Sequence, residues 1–220
     1  MPRLRLRQSR HPRTRQAGFT IIELLIAMSI FVVILLTAVS VFIQVSKLYY
    51  KGVTVSRTQE AARAIMDDLT REIQFSSSRV VANAAGTPRV YCVGSRRYSY
   101  LINTMKTENP AVGQSRHALQ KDIIPTSGGC PTPSVDGQGA VLPGGATELM
   151  VEGTSLTDLD ITCSTDFISC TIHLRMTYGD VNDNSLFTDE GGRRVCRGGI
   201  VGSEYCTVVE LNTTVTRRIR

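Results

Sequence analysis

The sequence reads as an α+β protein: a long N-terminal helix, hydrophobic in its first half, packed on a C-terminal antiparallel β-sheet domain with disulfides. Three observations carry this. The twenty residues 24–43 hold no charge and run on into a stretch with apolar side chains at three- and four-residue spacing. After Ser78 that spacing gives way to short alternating runs broken by Gly, Pro, Asn and Asp. All six cysteines lie beyond residue 90, and an even set confined to one region points to disulfides made in an oxidising compartment.

The chain opens with a basic segment. Arg3, Arg5, Arg7, Arg10, Arg13 and Arg15 precede Gly18 with no acid among them. A chain cut after Gly18 keeps 19 of its 25 basic side chains against 19 acidic ones. The net charge of +6 therefore belongs to the leader, and the remainder has no charge-based case for binding nucleic acid. A secretory signal places its apolar core before the cleavage site; here the apolar run comes after it. At ~1.5 Å per residue, residues 24–43 cover ~30 Å, the thickness of a bilayer's hydrocarbon core. The arginines hold the start of the chain in the cytoplasm and send the part beyond the span outward.

Glu23 stands among Ile21, Ile22, Leu24 and Leu25. A carboxylate there costs up to ~3 kcal/mol in lipid, less near the interface, so it needs a role. Thr20-Ile-Ile-Glu23 fits a capping box, in which each end of the motif satisfies the other's backbone N–H. Past the span, Lys47, Tyr49, Tyr50 and Lys51 form an aromatic and cationic collar. Gly52-Val-Thr-Val55 is poor in helix propensity and predicts a local bend or melted turn. Ala61, Ala62, Ile65, Met66, Leu69 and Ile73 then mark one apolar face, with Arg63, Asp67 and Arg71 at i,i+4 spacing on the wet side.

Strands are expected at 89–93, 98–103, 148–152, 158–163, 170–178 and 205–215, and residues 125–147 read as a Gly- and Pro-rich loop. Six cysteines allow fifteen connectivities. In one of them Cys163 and Cys170 clip a hairpin, Cys196 and Cys206 close a loop around Gly198-Gly199, and Cys92 is left for Cys130. Asp180, Asn182, Asn184 and Asp189 are oxygen ligands of the type calcium takes. Ser185 and Gly191 stand where an EF-hand needs Gly and Glu, so a polar turn is the simpler reading and no metal or other cofactor is expected. His117 and His173 have no nucleophile pattern beside them, and the Gly-Gly pairs lack a following Lys-Ser/Thr; an enzyme is not expected. Arg193, Arg194 and Arg197 form a small basic cluster of the kind that is usually solvated.

The run Ala17-Gly18-Phe19-Thr20-Ile21-Ile22-Glu23-Leu24-Leu25-Ile26-Ala27 resembles the processing site of type IV prepilins, in which a leader ends at Gly and the mature chain begins at Phe. More diffusely, residues 61–76, 153–161 and 207–217 resemble the larger minor subunits, the W-type minor pilins and J-type pseudopilins; Arg217-Arg218 departs from the Arg-Asn usual there. The resemblance implies a cleaved leader (1–18), a transmembrane and assembly half of the helix (19–45), an amphipathic half (46–79) and an extracytoplasmic β-rich domain (80–220). It implies cleavage between Gly18 and Phe19 by prepilin peptidase, N-methylation of Phe19, and pairing of Glu23 with the Phe19 amine of a neighbouring subunit. Other major and minor pilins or pseudopilins, an inner-membrane assembly platform and membrane lipid are the implied partners. The implied role is a low-abundance tip or priming subunit of a type IV pilus or a type II secretion pseudopilus. It would start as a single-pass inner-membrane protein and end in a filament at the cell surface or in the periplasm. Some pseudopilins bind calcium in acidic loops, which is the family-level case for the 180–189 segment. The competing reading is a monomeric, signal-anchored extracytoplasmic binding or adhesion protein.

Overall fold

The computed structural model describes residues 18–83, 87–111, 114–124, 129–133, 146–191, 193–197 and 205–218. Among the described residues one helix, α1 (Ile21–Phe75), is followed by twelve strands: β1 (Val80–Asn83), β2 (Arg89–Val93), β3 (Arg96–Tyr100), β4 (Met105–Lys106), β5 (Gln114–Ser115), β6 (Leu119–Ile123), β7 (Thr147–Glu148), β8 (Thr154–Cys163), β9 (Ser169–Tyr178), β10 (Phe187–Glu190), β11 (Arg193–Cys196) and β12 (Thr207–Thr216). The chain divides into two compact units, Met1–Val45 and Ser46–Arg220.

In the first unit every described residue is exposed, including each large apolar side chain from Phe19 to Val45. This part of α1 is long and apolar enough to cross a membrane. In the second unit the apolar face expected of α1 is the one that is buried: Ala61, Ala62, Ile65, Met66, Leu69 and Ile73 all enter the core. The helix runs unbroken through Gly52-Val-Thr-Val55, so the melted turn that low propensity allows does not form. Packing outweighs propensity there. Thr54 and Thr58 are buried, Thr54 Oγ1 donates to Lys51 O at 3.0 Å, and it lies 3.4 Å from Thr207 Oγ1.

One antiparallel sheet was the expectation; the domain builds two, sharing one core. The first has the order β1-β2-β3-β6-β7, antiparallel throughout. The second has the order β12-β9-β8-β4-β5, antiparallel except for β4–β5. A separate hairpin joins β10 and β11. Tyr91, Tyr98 and Leu119 from the first sheet meet Leu156, Ile172, Leu174 and Met176 from the second and the apolar face of α1 in a single cluster. Two half-size sheets let both inner faces reach that helix.

Several strand limits differ from expectation for local reasons. β3 stops at Tyr100 rather than 103, and Asn103 sits at φ 56°, a left-handed position that a strand cannot hold. Only Thr147 and Glu148 of 148–152 and its neighbour pair as strand, because the Glu148 carboxylate itself accepts the N–H of Met150 at 3.0 Å. β6 was not anticipated. Its Gln120 and Asp122 are buried along with Leu119, so it carries no polar–apolar alternation to read.

The docking of α1 on the first sheet is also ionic. Lys121 Nζ lies 2.8 Å and 3.0 Å from the two Asp68 carboxylate oxygens and 2.8 Å from Glu72, while Tyr98 Oη donates to Asp68 at 2.8 Å. Partial burial alone would push the Lys121 ammonium down, but the two carboxylates outweigh it and hold it above the usual lysine range. The C-terminus then closes the end of α1, whose last turn has no basic residue. Arg218 N–H donates to Gln74 O at 3.0 Å, and Arg217 donates through Nη2 to Ser76 O at 2.8 Å. These carbonyls are ones a helix leaves without internal partners. Arg218, the residue that departs from the usual Arg-Asn, gives only its backbone N–H to this closure, and its guanidinium lies 5.7 Å from the Phe75 ring.

Candidate functional site

At the start of α1 the capping box forms in both directions. Glu23 N–H donates to Thr20 Oγ1 at 3.3 Å, and Thr20 N–H donates to the Glu23 carboxylate at 3.4 Å. The Thr20 hydroxyl lies 3.3 Å from the same oxygen. Three otherwise orphaned atoms are satisfied, and the helix starts at Ile21. Among the described residues nothing lies within 4 Å of where a Cβ on Gly18 would stand, and Phe19 is 82% exposed. The Arg3 to Arg15 leader lies outside the described residues.

Residues 13–39 match the family model described as the prokaryotic N-terminal methylation motif. Over these residues the chain is type IV prepilin-like. Comparison with curated proteins gives no match, and comparison with solved structures gives none. The shared feature is therefore the N-terminal motif, and the β domain has to be read from its own residues.

The cysteines are brought together in three pairs, Cys92–Cys130, Cys163–Cys170 and Cys196–Cys206. Cys163 and Cys170 face each other across β8 and β9. Cys196 ends β11, and Cys206 directly precedes β12; Gly198 and Gly199 between them lie outside the described residues. Most of the 125–147 loop also lies outside them, but residues 129–133 are held by Cys130, by Arg97, which donates through Nη1 to Pro131 O at 2.8 Å, and by Asn83, whose Nδ2 donates to Thr132 Oγ1 at 3.3 Å.

The 180–189 segment does not fit a calcium site as it is placed. Asp180 accepts Asn182 N–H at 3.0 Å and Gln114 Nε2 at 3.4 Å, and Asn184 Oδ1 accepts the Arg194 guanidinium at 2.9 Å. A guanidinium on one intended ligand repels a cation. Asp189 pairs with Arg194 across the β10–β11 register. Among the described residues no three His, Cys, Asp or Glu side chains gather as metal ligands. The turn uses its carboxylates to bind its own backbone. Of the arginine cluster, Arg194 is engaged there, Arg193 lies 3.9 Å from Glu210, and Arg197 is exposed.

A cavity of about 490 Å³ is lined by Lys106, Glu108, Arg116, His117, Glu148 and Met150. Sequence reading missed Glu148 because its partners are backbone groups. Its carboxylate accepts the N–H of Ala118, Leu119 and Met150 at 3.3, 3.1 and 3.0 Å, and His117 lies 3.4 Å away. Burial pushes its pKa up, partly offset by those N–H donors and His117. An acid whose folded pKa is raised binds its proton more tightly folded than unfolded. Its contribution to stability is therefore largest below its ordinary value near 4.5 and declines as pH rises through the folded value. Glu148→Gln removes that decline. The difference in Tm between wild type and variant, read from thermal melts of the detergent-solubilised protein, is expected to move in favour of the variant from pH 4 to pH 7. A pH-independent difference would show that the carboxylate does not titrate differently in the fold.

Proposed function

We propose that this chain is a minor subunit, at the tip or in the priming complex, of a type IV pilus or type II secretion pseudopilus. The observation that carries it is the methylation motif sitting on a capped helix start, with Phe19 exposed and Glu23 four residues on. Prepilin peptidase cuts between Gly18 and Phe19, removes the basic leader on the cytoplasmic side, and N-methylates Phe19. The exposed apolar half of α1 first lies in the membrane and then bundles with the same half of other pilin-like subunits at the inner-membrane platform. Glu23 sets the register by pairing with a neighbour's Phe19 amine. The disulfide-braced β domain stands outside the membrane, and its irregular two-sheet form suits a low-copy position better than a tightly repeated shaft.

Mass-spectrometric mapping of the N-terminus of the protein taken from its native envelope tests this. A chain beginning at methylated Phe19 is expected. A chain that keeps Arg3 to Arg15 would instead describe a monomeric, signal-anchored surface protein, the reading in which the domain captures a ligand on its own.

A further inference from the structure

We infer that the β domain carries its own membrane-contact surface, built on Tyr205 and directed at lipid headgroups while the subunit waits in the bilayer. This rests on reading residues 24–43 as a membrane span. Tyr50 follows the end of that span by seven residues, so the collar of Lys47, Leu48, Tyr49, Tyr50 and Lys51 falls at the bilayer's outer boundary. All five side chains are exposed. Tyrosine and lysine are the side chains that favour this layer: the ring lies among the upper acyl chains and glycerol, while the hydroxyl or ammonium reaches water and phosphate.

Tyr205 belongs to the domain, 155 positions further along the chain, yet its ring lies 6.3 Å from that of Tyr50, which in turn meets Tyr49 at 6.0 Å. It is half exposed, and the Cys196–Cys206 disulfide fixes the residue beside it. The neighbouring Thr207 meets Thr54 one helical turn past the collar. The domain is thus registered along α1 with its Tyr205 end next to the collar. Its opposite end is marked by the Lys121 contacts to Asp68 and Glu72. Glu72 is 22 residues from Tyr50, roughly 33 Å along a helix. Three tyrosines and two lysines therefore form one belt to which helix and domain both contribute. The occupant is a lipid surface: the patch continues a membrane-spanning segment, and its lysines complement phosphate.

The chain contains no tryptophan, so a single introduced one reports alone. Y205W, Y50W and I123W are made in the full chain, checked for absence of free thiols, and reconstituted into vesicles whose lipids carry bromine near the glycerol end of the acyl chains. Ile123 is exposed and lies two residues from Lys121, at the far end of the domain. Loss of Y205W emission comparable to that of Y50W, with I123W unaffected, is the expected result. Quenching of Y50W but not Y205W would overturn the inference and leave the span intact. Quenching of neither would overturn it together with the placement of the collar at the interface, and equal quenching of all three would show non-specific adsorption and overturn it as well.

Discussion

Glu23→Gln is expected to leave the chain cleaved after Gly18, helical and in the membrane, yet to remove it from the assembled filament. The substitution separates two roles that coincide in one side chain. As a cap, Glu23 needs only an oxygen to accept Thr20 N–H, and glutamine serves in the same motif. As the proposed partner of a neighbour's Phe19 amine it needs its charge. An ion pair at ~4 Å is worth about 4 kcal/mol at an effective dielectric near 20, and an ammonium left unpaired among apolar helices costs several kcal/mol more. Glu23→Ala removes both roles and costs a further ~1 kcal/mol at the helix start. The readout is the share of protein in sheared filaments, or in cross-linked complexes with other pilin-like subunits, against the share left in the membrane. If Glu23→Gln assembles normally while Glu23→Ala does not, the residue is a cap and nothing more.

How much of the molecule is legible in the sequence depends on how far apart the interacting residues lie. The capping box spans four residues, and the apolar face of α1 repeats every turn, so both could be read directly. β8, β9 and β12 were found from alternating apolar residues such as Leu159 and Ile161 or Ile172 and Leu174, although the expected limits miss the first four residues of β8 and begin two before β12. The Asp68–Lys121 and Glu72–Lys121 contacts join residues 53 and 49 positions apart, and no local spacing announces them. β6 stayed hidden because its sheet is covered on both faces. The split into two sheets depends on which side of α1 each hairpin takes, and that is fixed by the shared core rather than by any one strand. At Gly52 the propensity signal was real, but two buried threonines and the pairing with β12 overrode it. The N-terminal capping box was local and legible; the cavity beside Glu148 was assembled from backbone amides and was not.

Asp122→Ala is expected to be the most damaging single change in the domain. Asp122 and Arg97 are cross-strand partners in β6 and β3, both about 5% exposed. Arg97 donates to both carboxylate oxygens of Asp122, at 3.0 Å from Nε and in a second bond from Nη2, and its Nη1 holds Pro131. Truncating the acid leaves a guanidinium buried with one neutral acceptor, and removing one partner of such a pair costs about 3–5 kcal/mol. For a chain of this size that lowers Tm by roughly 10 °C. Replacing both partners, Arg97→Met with Asp122→Leu, removes the buried charges together. It should recover most of the loss, less about 1 kcal/mol for the lost bond to Pro131. Thermal melts of wild type, Arg97→Met, Asp122→Leu and the double variant, with disulfides intact and Asp122→Ala measured beside them, give the coupling directly. A double variant no better than Asp122→Ala would mean the damage comes from lost shape rather than an uncompensated charge. The pair would then matter because it fits the space beneath residues 129–133, with the disulfide to Cys92 and the Asn83–Thr132 hydrogen bond carrying the tether.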